Sequence, residues 1–155
     1  MKKLIILGTL STLLFSSCVQ RPQPTSLELQ AFQRKEFPTT KTVAFGSVVS
    51  VFQDMGYIIG SADKDTGMIS ASSPTKNVVF FGSHMSNTSV NAFVESFGAK
   101  RTAIRLNFVQ VNESSSGYGM KSKSDKPIHD PEIYQNAFNK ISEAIFIREK
   151  ALGQQ

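Results

Sequence analysis

SVNAFVESFGAKRTAIRLNFVQV, residues 89–111, decides how this chain folds. Apolar and polar side chains alternate on either side of Gly98-Ala99-Lys100, the period of two that marks strands with one buried face. A three-residue loop sets Val94 opposite Ile104, Ala92 opposite Leu106 and Val90 opposite Phe108. All six then share one apolar face, whereas a two-residue turn would set Glu95 against Ile104. The reading is therefore a β-hairpin over Ser89–Phe97 and Thr102–Val111, each arm about eight residues and near 27 Å long. Its other face carries Phe93, Phe97, Arg105, Asn107 and Val109. Two aromatic rings are unusual on a solvated surface: either another segment covers them, residues 27–37 being the candidate, or they meet a partner.

Two helices flank this hairpin in the sequence. From Val43 the apolar positions Ala44, Val48, Val51, Phe52 and Met55 fall three or four apart, which predicts an amphipathic helix over 41–55. Thr39, Thr40 and Thr42 offer N-caps, and Gly56 tolerates the left-handed residue that ends a helix. Asp130-Pro131-Glu132 opens a second helix, to about residue 149, with a capping acid, proline at the first position and acid in the first turn. Tyr134, Ala137, Phe138, Ile141, Ala144 and Ile145 form its apolar stripe, and Arg148 and Lys150 suit the negative end of its dipole. Its length of about 28 Å matches the hairpin arms.

Between these elements, Tyr57–Ile59 and Met68–Ala71 read as a smaller hairpin around Asp63-Lys64-Asp65-Thr66-Gly67. The run Val78-Val79-Phe80-Phe81 fits a short buried strand better than an exposed, adhesive loop. Ser83–Thr88 reads as a polar loop containing His84, and residues 112–127, rich in Ser, Gly and Lys, as a mobile excursion. Leu27–Phe37 is balanced between helix and strand, with Pro38 disfavouring helix at Phe37.

The first residues carry a different message. Lys2 and Lys3 precede the apolar run Leu4–Phe15, and Ser16-Ser17 lead to Cys18, the single cysteine of the chain. This order is a secretion signal. A helix of that run covers about 18 Å, short of the roughly 30 Å of a bilayer core. Phe15-Ser16-Ser17-Cys18 resembles the lipobox of bacterial lipoproteins, although leucine is usual where Phe15 stands. The resemblance implies cleavage before Cys18, so that 1–17 is the signal peptide, with palmitate-type acylation at Cys18. Val19–Ser26, polar and with two prolines, reads as a tether. Val19 stands where an aspartate would favour inner-membrane retention in Gram-negative lipoproteins, so the resemblance points to the periplasmic side of the outer membrane.

Composition narrows the chemistry. The formal net charge of +5 drops to +3 once Lys2 and Lys3 are removed, and the remaining cations are scattered, unlike the stripe of a nucleic-acid binder. With Cys18 spent on lipid, no cysteine is left for a disulfide. His84 and His129 lack the partners of a zinc site. Asp63-x-Asp65 begins like a calcium loop, but Pro74 occupies the position of the bidentate glutamate. Asp54 reads as surface. No nucleophile elbow, phosphate-cradling glycine loop or readable base–orienter pair is present. The expectation is a non-enzyme without metal or cofactor.

Three further motifs, Gln33–Thr39 (QRKEFPT), Phe52–Tyr57 (FQDMGY) and Asp63–Ala71 (DKDTGMISA), are followed by Asp130-Pro131 and the helix to Ile147. Together they resemble a family of small, mostly uncharacterised Gram-negative lipoproteins. The resemblance implies an envelope-anchored α+β domain with no established enzymatic activity. The combined expectation is a single α+β domain over 27–150, with two helices packed on one face of an antiparallel sheet of four to five strands. It would act as a binding or scaffolding lipoprotein, held to the membrane through acylated Cys18 and facing an envelope protein through Phe93, Phe97 and the run Val78–Phe81. The rivals are a carrier holding a small apolar ligand or lipid between helix and sheet, and a hydrolase without a readable motif.

Overall fold

The computed structural model describes residues 24–79, 83–115 and 120–153. Its elements, in chain order, are α1 (Ser26–Gln33), β1 (Arg34–Phe37), α2 (Lys41–Asp54), β2 (Ile58–Asp63), β3 (Met68–Ser72), β4 (Lys76–Val79), β5 (Ser83–Ser96), β6 (Thr102–Ser115), β7 (Lys121–Pro127) and α3 (Pro131–Leu152). The fold class is α+β, with an antiparallel sheet whose main order is β1-β6-β5-β3-β2; β4 adds to β5 and β7 to β6.

The central pair has the register that side-chain alternation predicts: Val94↔Ile104, Ala92↔Leu106 and Val90↔Phe108. All six are buried. The Phe97 amide donates to the Arg101 carbonyl across Gly98-Ala99-Lys100 at 3.1 Å, closing the three-residue loop. Ile69 and Ala71 extend the same face through β3. Gly67 joins this hairpin to the next: its carbonyl accepts from the Val94 amide at 2.9 Å. Its φ of 83° and its approach to the Val94 carbonyl oxygen leave no place for a Cβ.

Against this face lie the helices. Thr40 caps α2, its hydroxyl accepting from the Val43 amide, and Asp130 caps α3 with Pro131 in the first turn. The predicted stripe of α3 is buried at Tyr134, Ala137, Phe138, Ile141 and Ile145. That of α2 is buried at Ala44, Val48, Val51 and Phe52, but Val43, Phe45 and Ser47 are buried too. The broader face arises because α2 packs on both the sheet and α3. Gly46 admits the Arg148 guanidinium, which donates to the Gly46 carbonyl at 3.2 Å and to Ser50 Oγ at 3.0 Å.

Residues 27–37 resolve into both alternatives in turn. Thr25 and Glu28 form a reciprocal capping box, so α1 is a third helix beginning inside the expected tether, and the strand starts at Arg34. Phe32 stacks on Tyr134 with 5.0 Å between ring centroids, placing α1 on the helical side. The expected loop Ser83–Thr88, with His84, is the first part of β5. The expected excursion 112–127 is corrected more fully: β6 runs on to Ser115 and β7 pairs with it from Val109↔Pro127 to Ser115↔Lys121. Every residue of β7 is exposed, so no side-chain alternation was available to announce a strand held by its backbone.

One buried group repairs the sheet between β1 and β7. β1 pairs with β6 as far as Arg105, and β7 takes over at Val109. The interval is closed at Phe108, whose amide donates to Tyr134 Oη at 3.2 Å while its carbonyl accepts from the Ile128 amide at 2.9 Å. Tyr134 Oη also accepts from Gln33 Nε2 and donates to the Ile128 carbonyl. At this enclosed stretch of sheet edge the buried Phe108 amide and carbonyl are thus both satisfied.

Candidate functional site

The alternation that buries Val94 and Ile104 sends their neighbours to the other side of the sheet. The ladder registers align five of these outward residues in one row, Asp63↔Met68↔Phe93↔Arg105↔Arg34, on β2, β3, β5, β6 and β1. At about 4.8 Å between strands the row is about 19 Å long. Met68 is 51% exposed, Phe93 39% and Phe97, just past the end of β5, 38%. Residues 27–37, the candidate cover, supply only the edge strand β1 to this face.

The cationic end is organised by Glu36. Its carboxylate accepts from Arg34 Nη1 at 2.8 Å and Arg101 Nη2 at 3.3 Å, and these two bonds, Arg34 first, hold its pKa below the ordinary glutamate value. Both guanidiniums also lie over the Phe97 ring, 5.8 Å from its centroid for Arg34 and 4.7 Å for Arg101. Arg34, Phe93, Glu95, Ala103 and Arg105 line a shallow depression of about 180 Å³, floored by the buried Ala103. At the far end of the row, Asp63 closes its own turn. Its Oδ1 accepts from the Asp65 amide at 2.9 Å and the Thr66 amide at 3.4 Å, and hydrogen bonding from Thr66, then Asp65, lowers its pKa.

The sequence-derived candidates separate in space. Phe93 and Phe97 share the open face. Val78 and Val79 belong to β4, opposite His84 and Ser83, and Ser83 lies ten residues up β5 from Phe93, about 34 Å away. Val78 and Val79 therefore do not join the Phe93 patch, and Phe80, Phe81 and Cys18 lie outside the described residues. Met68, Arg34 and Arg101 were not singled out from sequence. Met68 had a usable signal, the alternation Met68-Ile69-Ser70-Ala71. Arg34 had none, because its neighbour Arg105 is 71 positions away in the chain.

Among the described residues no group of three His, Cys, Asp or Glu gathers as a metal site, and no helix is long and apolar enough to cross a membrane. Asp54 is exposed at the end of α2. In comparisons with known proteins, the chain matches no family model and no curated protein.

Proposed function

We propose that this protein is a lipid-anchored component of the bacterial cell envelope, cleaved before Cys18 and acylated there, which presents the Met68–Phe93–Phe97 face of its sheet to a protein partner. The observation that carries the reading is the contrast between the two sides of β5. From Val90 to Val94 one side is buried under helices, while on the other side of the sheet Met68, Phe93 and Phe97 are open to solvent, a patch a monomer has no folding reason to display. Support for the anchor comes from the charge, apolar run and lipobox-like cysteine of residues 1–18 and from the lipoprotein-family resemblance of the motifs in 33–147. Val19, standing where an aspartate would favour inner-membrane retention in the lipoproteins this segment resembles, points to the outer membrane. From Cys18 to the cap at Thr25 the chain reaches at most about 25 Å, which keeps the domain close to the membrane surface.

The scaffolding reading is preferred to a carrier because the layer where a ligand would sit is occupied. Phe52, Tyr57, Phe108, Tyr134 and Phe32 form a continuous series of ring contacts, with centroids 5.0 to 6.4 Å apart. The reading assigns no catalysis.

Metabolic labelling with a palmitate analogue tests the anchor. The native protein should label and run as the processed form, and Cys18→Ser should do neither; a Cys18→Ser protein that is processed and retained normally defeats the assignment. Phe93→Ser with Phe97→Ser tests the face. It should abolish cross-links to the partner in intact cells without lowering the melting temperature.

A further inference from the structure

The row across the open face contains an arrangement that folding alone does not favour. Arg34 and Arg105 are direct cross-strand partners on one face, and like charges placed so are destabilising. Arg34 is relieved by Glu36. Arg105 is not: among the described residues its guanidinium makes no hydrogen bond or ion pair, although it is exposed beside the depression above Ala103. On its other side stands Phe93 and beyond that Met68. An unpaired cation next to an open apolar pair is half of a recognition element, and the missing half is an anion attached to something apolar.

We infer that this row docks an acidic protein segment, one of whose carboxylates pairs with Arg105 while a neighbouring apolar side chain covers Phe93 and Met68. The inference rests on the reading of this face as a partner surface and specifies the partner's chemistry. An Arg–carboxylate pair formed against aromatic side chains is partly desolvated and two-pronged, which gives direction as well as attraction. The row's length suits such a segment: about 19 Å corresponds to roughly thirteen residues of helix or six of extended chain. The charge pattern argues for a peptide over an anionic lipid surface. Glu36 and Glu95 stand beside the arginines and Asp63 ends the row; a uniformly negative plane would meet all three, whereas a segment with one placed carboxylate avoids them.

The test places a photo-reactive amino acid at Asn107, exposed on the same face one row from Arg105, in the full chain in its native envelope. The expected result is an adduct with a protein whose cross-linked peptide carries Asp or Glu beside an apolar residue. Its yield should fall about tenfold with Arg105→Glu and return when that acid is changed to Arg. Arg105→Gln should also weaken the adduct, while raising the melting temperature of the free protein by about 1–4 °C as the like-charge pair is relieved. A protein adduct indifferent to Arg105→Glu, or a captured segment without acid, overturns the inference and leaves the partner-surface reading standing. A lower melting temperature for Arg105→Gln overturns it as well, since the arginine would then serve the fold. Adducts with lipid alone, with a second copy of this chain alone, or no adduct at all, overturn both.

Discussion

β5 and β6 pair along their whole length, yet their two halves are different objects. In the half from Ser89 to Ser96 and from Thr102 to Val109, the side facing the helices reads Val90, Ala92, Val94 and Ile104, Leu106, Phe108, all buried. Continued into the other half, the same side reads Ser86, Thr88 and Gln110, Asn112, Ser114. The ladder continues without a break, so backbone bonding does not distinguish the halves. What changes is the side-chain chemistry, and a helix has nothing to bury against the polar half. β4 and β7 extend that half as strands, because strand addition needs only backbone donors and acceptors, while helix packing needs apolar area. Hydrogen bonds shape this molecule; apolar burial decides where it has a core.

The contrast is broken most directly at Phe108, where the covered half meets Tyr57 and Tyr134. Phe108→Ala should cost about 3–5 kcal/mol in denaturant unfolding; a loss below 1 kcal/mol would mean that the helices do not seal this half. Tyr134→Phe sharpens it by removing one oxygen and leaving the ring. The buried Phe108 amide would then lack its acceptor, at about 1–3 kcal/mol. Equal stability of the two proteins would show that the ladder interval is closed by another group. In the uncovered half, Gln110→Ala, on the same side of β6 as Phe108, should stay within about 0.5 kcal/mol, since Gln110 is exposed. A core-sized loss there would reveal a cover over that half and erase the contrast.

The smallest expected effect concerns the rim of the covered half. Glu36 has a folded-state pKa below its ordinary value of 4.5. Its contribution to stability is therefore complete above that value and is lost as pH falls through the depressed one. Melting temperatures of the native protein and Glu36→Gln, taken from pH 6 to pH 3, should converge across that window. The difference should also shrink with added salt, because the pairs with Arg34 and Arg101 are solvent-exposed. A gap that widens on acidification would contradict the pairing.

Elements that bury one face were legible in the chain because burial writes a period into the residues. The register of Val90, Ala92 and Val94 against Phe108, Leu106 and Ile104 follows from alternation, and the stripe Tyr134–Ile145 with its Asp130-Pro131 start follows from helical spacing and capping chemistry. β7 was illegible for the converse reason. Lys121–Pro127 is exposed on both sides, and a strand held through its backbone, with one exposed Lys123–Glu113 pair at 4.0 Å, leaves no apolar period in the sequence. Of the open face, Phe93 and Phe97 were visible as aromatics on the wrong side of a known register. Arg34 could not be placed beside them, since nothing local in QRKEF says which strand it will border.

By itself, then, the amino-acid order determined the two main helices, both hairpins and which side of β5 is inside. These are short-range consequences of periodicity and capping, in which each residue's neighbours in the chain are also its neighbours in space. Only the tertiary structure decided that Arg34 stands against Arg105 beside Phe93, that Tyr134 completes the edge of β6, and that Val78 and Val79 lie far from the aromatic face. Those pairings join residues up to 71 positions apart, and they exist because packing two layers on one sheet brings distant strands side by side.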